Sequence, residues 1–111
     1  MSGDLTLEAD ARPPWVTVAP GNRRRVLVSQ PQLMQVEFAF DQGAVGALHS
    51  HPHVQASYVA EGTFEVTIGD TMTVLSTGGS FIVPSNVVHG VKALTAGRLV
   101  DCFTPRRDDF L

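Results

Sequence analysis

Apolar and β-branched residues recur along this chain in short runs, at 26–29, 33–40, 47–51, 56–60, 64–68, 72–75, 81–83, 87–94 and 99–103, with Gly, Pro, Asn, Asp and Ser between them. Runs of this length and spacing predict strands. Within 33–40, Met34, Val36, Phe38 and Phe40 share one parity while Gln35 and Glu37 share the other, so this strand is expected to bury one face and wet the other. Gly69 and Asp70 separate two such runs, and a two-residue loop containing Gly favours a primed hairpin turn. Pro and Gly punctuate the chain too often for a helix of ordinary length, and β-branched residues dominate the rest. The expected fold is therefore all-β, a small antiparallel β-barrel or sandwich. Residues 1–25 carry Pro13, Pro14, Pro20, Gly21 and many charges, which predicts an extended arm with at most a short strand around 15–18. One domain follows, at 26–111.

The length of 111 residues suits a single core. Eight basic side chains against eleven acidic ones provide no electrostatic footprint for a phosphate backbone, so nucleic acid is not an expected partner. The one basic run, Arg23, Arg24 and Arg25, precedes Val26, Leu27 and Val28 and reads as the solvated start of a strand. Cys102 is the only cysteine, which precludes an internal disulfide and makes a cytoplasmic protein the expectation. With Leu99, Val100 and Phe103 nearby, it reads as a buried filler and not as a nucleophile. Residues 1–7 lack a basic segment followed by an apolar one, and no run approaches the roughly 20 apolar residues that span a bilayer. Neither secretion nor a membrane partner is expected.

All four histidines fall in two places, His49, His51 and His53 together and His89 far along the chain. Residues two apart on a strand project to one face, so His49 and His51 can aim at a common point, with Pro52 ending the ladder before His53. A third imidazole from a distant strand completes three corners of a site for one divalent transition metal, zinc, nickel, manganese, iron or copper. His53 is expected at the surface or behind the ligands. Gln55 stays open on chemistry alone, because a neutral amide oxygen is a weak ligand.

Written as a pattern, Gly43-x5-His49-x-His51-x3-Gln55-x6-Gly62 resembles the first cupin motif, with glutamine at a usual glutamate. Gly78-x5-Pro84-x-Asn86-x2-His89 resembles the second in softened form. This implies a double-stranded antiparallel β-barrel, or jelly roll, with a metal in one mouth. The run from His49 to His53, the turn from Tyr58 to Gly62 and the ending from Asp101 to Phe110 are similar to the KdgF family, whose members open the ring of 4,5-unsaturated monouronates released by pectin and alginate lyases. The resemblance implies that His49, His51, Gln55 and His89 hold the metal and that Asp101, Phe103 and Arg107 are catalytic. Val54 departs from the family, which commonly has glutamate there.

Such a shell of neutral ligands leaves the charge of the cation uncompensated and is expected to attract an anionic sugar. Asp101 and Phe103, two apart on a predicted strand, would share the interior face, with Asp101 moving protons and Phe103 packing on the sugar. Arg107 would grip the substrate carboxylate, with Arg106 as the adjacent competitor. Two other readings fit the same residues: an iron-dependent dioxygenase, and a non-catalytic module that binds metal or sugar acid. An exposed sheet edge and the N-terminal arm predict a homodimer.

Overall fold

The computed structural model describes residues 13–111. Ten strands run in chain order: β1 Val16–Ala19, β2 Asn22–Gln30, β3 Leu33–Phe40, β4 Val45–His49, β5 Val54–Glu61, β6 Thr63–Ile68, β7 Thr71–Ser76, β8 Ser80–Val83, β9 His89–Ala93 and β10 Gly97–Thr104. A 3₁₀ turn at Asp108–Phe110 follows. Among the described residues no helix is long and apolar enough to cross a membrane. The part of the N-terminal stretch that is described is strand: β1 lies at the expected 15–18 position, and β2 begins at Asn22, ahead of the expected 26. Residues 1–12 of the expected arm lie outside the described residues.

The strands form two antiparallel sheets, one of six in the order β1-β2-β3-β10-β5-β8 and one of four in the order β4-β9-β6-β7. The molecule is accordingly a two-sheet jelly roll, and the expected barrel is not closed by a continuous ring of strand pairing. Phe40, Val59 and Leu99 of the larger sheet pack against Phe64, Val66 and Ala93 of the smaller one. A second cluster, Met34, Val36 and Phe103, lies beneath Phe110 of the terminal turn. Alternation along each strand produces these layers, since inward residues at every second position meet across the gap.

Gly69 and Asp70 join β6 to β7 as expected, with the positive φ of 57° at Gly69 that a primed turn needs. Glu37, expected on a wet face, is instead buried: Arg25 and Arg98 from the two flanking strands close over it at 2.7 Å and 2.6 Å. Cys102 also departs from expectation. Leu99, Asp101 and Phe103 point inward from β10, so Cys102 takes the outward parity and is half-buried on the sheet's outer face.

Candidate metal centre

The three histidines of the motif converge, although not through shared strand parity. β4 ends at His49, and His51 sits beyond it in the segment that crosses to β5. His49 and His89 are instead cross-strand partners of β4 and β9, with ring centroids 4.4 Å apart. His51 closes on them at 5.4 Å from His49 and 4.7 Å from His89. One ligand atom from each of the three lies within 4.8 Å of the others. Gln55 reaches the same point from β5, so the cluster spans both sheets.

The hydrogen bonds of the imidazoles decide their chemistry. Each Nδ1–H donates to a main-chain carbonyl, His49 to Ala47 at 2.8 Å, His51 to His53 at 3.0 Å and His89 to Val87 at 2.9 Å. That arrangement assigns the proton to Nδ1 and leaves the Nε2 lone pair facing the cluster. His53 thus supports His51 through its carbonyl, while its own ring stands 5.5 Å from that of His51. Burial lowers the pKa of His51, and lowers that of His89 to about 4, so both stay neutral at neutral pH.

Gln55 Oε1 lies 3.1 Å from His51 Nε2 and 3.2 Å from His89 Nε2. The Gln55 amide nitrogen donates to Ser57 Oγ at 3.0 Å, which turns the carbonyl oxygen toward the histidines. Two imidazole lone pairs and a carbonyl oxygen then meet with no proton among them, an arrangement of acceptors that is repulsive until a cation sits between them. The donor set therefore fits one divalent metal ion.

Beside the cluster, β5 and β10 present Ser57 and Asp101 as one cross-strand pair and Gln55 and Phe103 as the next. Asp101 is buried, and its Oδ1 has no hydrogen-bond partner. Burial pushes its carboxyl up to about 7, with the Ser57 hydroxyl and the Arg107 charge acting the other way by less. Phe103 is buried with its ring edge-on to His51 at 5.7 Å. Arg107 lies over Phe103 at 5.3 Å and Phe110 at 4.3 Å, and donates from Nε and Nη2 to both carboxylate oxygens of Asp109. Arg106 turns away to Asp108 at 2.7 Å. Val54 is exposed at the start of β5, on the strand parity opposite to that of the buried Gln55. A cavity of about 430 Å³ between the sheets brings His49, Gln55, His89, Asp101, Phe103 and Arg107 onto one surface.

Arg24 lines the same cavity. Expected among three solvated arginines, it differs from Arg23 and Arg25 in its parity along β2, which turns it to the other face of the strand.

Residues 36–103 match the cupin domain family. The pectin degradation protein KdgF of Dickeya dadantii (strain 3937) is 39% identical over 104 residues, covering 92% of this chain and 94% of that protein. The chain belongs to the KdgF family of cupins. Among solved structures, KdgF from Halomonas sp. is 42% identical over 88% of this cupin and 91% of that chain, with a TM-score of 0.85. An RmlC-like cupin from Shewanella frigidimarina NCIMB 400 is 39% identical over 95% and 94% of the two chains, with a TM-score of 0.89. Family and cluster together make this KdgF-family chain a metal-dependent cupin.

Proposed function

We propose that this cupin opens the ring of 4,5-unsaturated monouronates to the linear keto sugar acid, with His49, His51, Gln55 and His89 holding one divalent transition metal. The observation that carries the reading is the shared cavity, which sets a cluster of neutral metal donors beside a buried carboxyl whose Oδ1 has no partner among the described residues, in a chain of the KdgF family. When bound, the cation supplies a Lewis acid whose charge no anionic ligand cancels, suited to polarising a sugar oxygen.

The reaction is an isomerisation that relocates one proton. It leaves the anomeric hydroxyl as the bond from C1 to the ring oxygen breaks, and a proton is added at C4 as the resulting enol becomes a ketone. A carboxyl whose pKa burial raises toward neutrality is suited to take up a proton and give it back, as base and then as acid, and Asp101 is such a group. Phe103 offers an apolar ring for the sugar to pack on, and Arg107 adds positive charge at the wall that favours an anionic substrate.

The test is incubation of the metal-loaded protein with freshly generated 4,5-unsaturated galacturonate. Loss of the conjugated ultraviolet absorbance faster than in buffer is the expected result. Absorbance loss no faster than the blank, or oxygen consumption in its place, overturns the reading.

We also propose that two copies associate through the outer face of the six-stranded sheet. Tyr58, Ile82, Val100 and Cys102 line a shallow apolar depression there, with Tyr58 and Ile82 exposed by 49% and 59%. A two-fold axis would bring this patch against itself.

A further inference from the structure

Alternation along β2 sends the three consecutive arginines to opposite faces. Arg23 and Arg25 take the outer face, where Arg23 pairs with Asp41 at 3.2 Å and Arg25 with Glu37 at 2.7 Å, and both stand over the Trp15 ring. Arg24 takes the inner face beside its cross-strand partner Phe38, which also lines the cavity. Its guanidinium lies 4.1 Å from the centre of the Phe110 ring, the ring that carries Arg107 at 4.3 Å.

The two guanidiniums differ in what they have left to offer. The Nε and Nη2 donors of Arg107 are already spent on both oxygens of Asp109, at 3.1 Å and 2.9 Å, so its side-on fork is filled and its charge is paired. Arg24 forms no ion pair among the described residues. It is a half-buried cation on the cavity wall whose donors have no partner among the described residues and face the space an anion would enter. Burial lowers its pKa, the expected effect on a partly desolvated charge, and Asp109 offsets this only in part.

Resting on the reading that a sugar acid enters this cavity, we propose that Arg24 grips the substrate carboxylate, and that Arg107 is a positioning residue that fixes Phe110 and thereby the Arg24 side chain. Arg24 lines the same cavity as His49, Gln55 and His89, so a monosaccharide held by its carboxylate at Arg24 shares that cavity with the cluster.

Calorimetric titration of the metal-loaded protein with galacturonate, and with galactose as the analogue lacking the carboxylate, reads this without turnover. Removing a charge-assisted contact of this kind weakens binding about 10- to 100-fold. Arg24→Gln is expected to weaken galacturonate by that factor, to leave galactose unchanged and to keep stoichiometric metal. Arg24→Lys restores charge without the fork and is expected to recover part of the loss. With 4,5-unsaturated galacturonate the same loss should fall on KM, with kcat within a few-fold of the parent.

Undiminished galacturonate binding by Arg24→Gln, with the loss falling on Arg107→Gln instead, overturns the proposal. So does a parent protein that binds galacturonate no better than galactose. Arg24-dependent galacturonate binding without turnover of the unsaturated sugar would leave the carboxylate site standing and remove the ring-opening reading, which keeps the two failures apart.

Discussion

A buried carboxyl without a counter-charge in contact holds its proton to higher pH, and for Asp101 the consequence can be measured. Its carboxyl rises from an ordinary 3.8 to about 7. Between those values the folded state binds more protons than the unfolded one, so the stability owed to the neutral form is complete below 3.8 and is lost as pH rises through about 7. At about 1.4 kcal/mol per pH unit, metal-free protein should lose about 4 kcal/mol across that window relative to Asp101→Asn, as denaturant melts at several pH values would report. A difference between the two proteins that does not vary with pH would contradict it. In the metal-loaded protein, Asp101→Asn should lower kcat by roughly 100- to 10,000-fold while leaving metal content intact. His89→Ala deletes a donor whose Nε2 faces the centre of the cluster, and should abolish stoichiometric retention of zinc or nickel by metal analysis. The shift in melting temperature that added metal confers on the parent should disappear with it.

Strand pairing explains why residues far apart in sequence share one site. His49 and His89 are partners because β4 and β9 pair, while Ser57 and Asp101 are partners because β5 and β10 pair. Two of the turns that carry the chain from one sheet to the other make a controlled comparison. Gly62 and Gly78 both hold positive φ, at 92° and 94°. A Cβ at Gly62 would come within 2.6 Å of the Ala96 carbonyl, whereas at Gly78 it would meet nothing within 4 Å. Gly78→Ala should therefore cost only the left-handed backbone penalty, about 1–2 kcal/mol. Gly62→Ala should add a steric cost of about 1–3 kcal/mol to it. For a domain this small, each further kcal/mol is about 4–8 °C in melting temperature, so Gly62→Ala should melt clearly below Gly78→Ala.

The two sheets together present an uneven exterior. The outer face of the six-stranded sheet carries a ladder of ion pairs from Arg25 through Glu37 and Arg98 to Glu61, and beside it the apolar depression around Tyr58 and Ile82. A charged border next to an apolar centre is the anatomy of a protein interface. Light scattering of the parent is expected to give twice the chain mass, with Ile82→Glu shifting it to one chain at micromolar concentration and leaving the metal cluster intact. A parent mass of one chain, independent of concentration, would rule the dimer out.

Short-range signals along the chain were sufficient for the strands and the hairpin at Gly69 and Asp70, because alternation and turn chemistry act between neighbours in sequence. His49, His51 and His89 do meet, but through the pairing of β4 with β9 and a crossing segment and not through the strand parity expected to join them. What sequence could not supply was which elements face each other. His51 joins the cluster from a crossing segment and not from a strand face, Glu37 is buried by arginines from two flanking strands, and the barrel opens into two sheets. Arg24 shows the boundary most clearly: its parity was visible in the run of arginines, but that its side of β2 is the cavity wall depends on β10, the Phe110 turn and the smaller sheet closing around it. Each of these facts is a contact between segments distant in the chain, and local periodicity carries no information about such contacts until the sheets have paired.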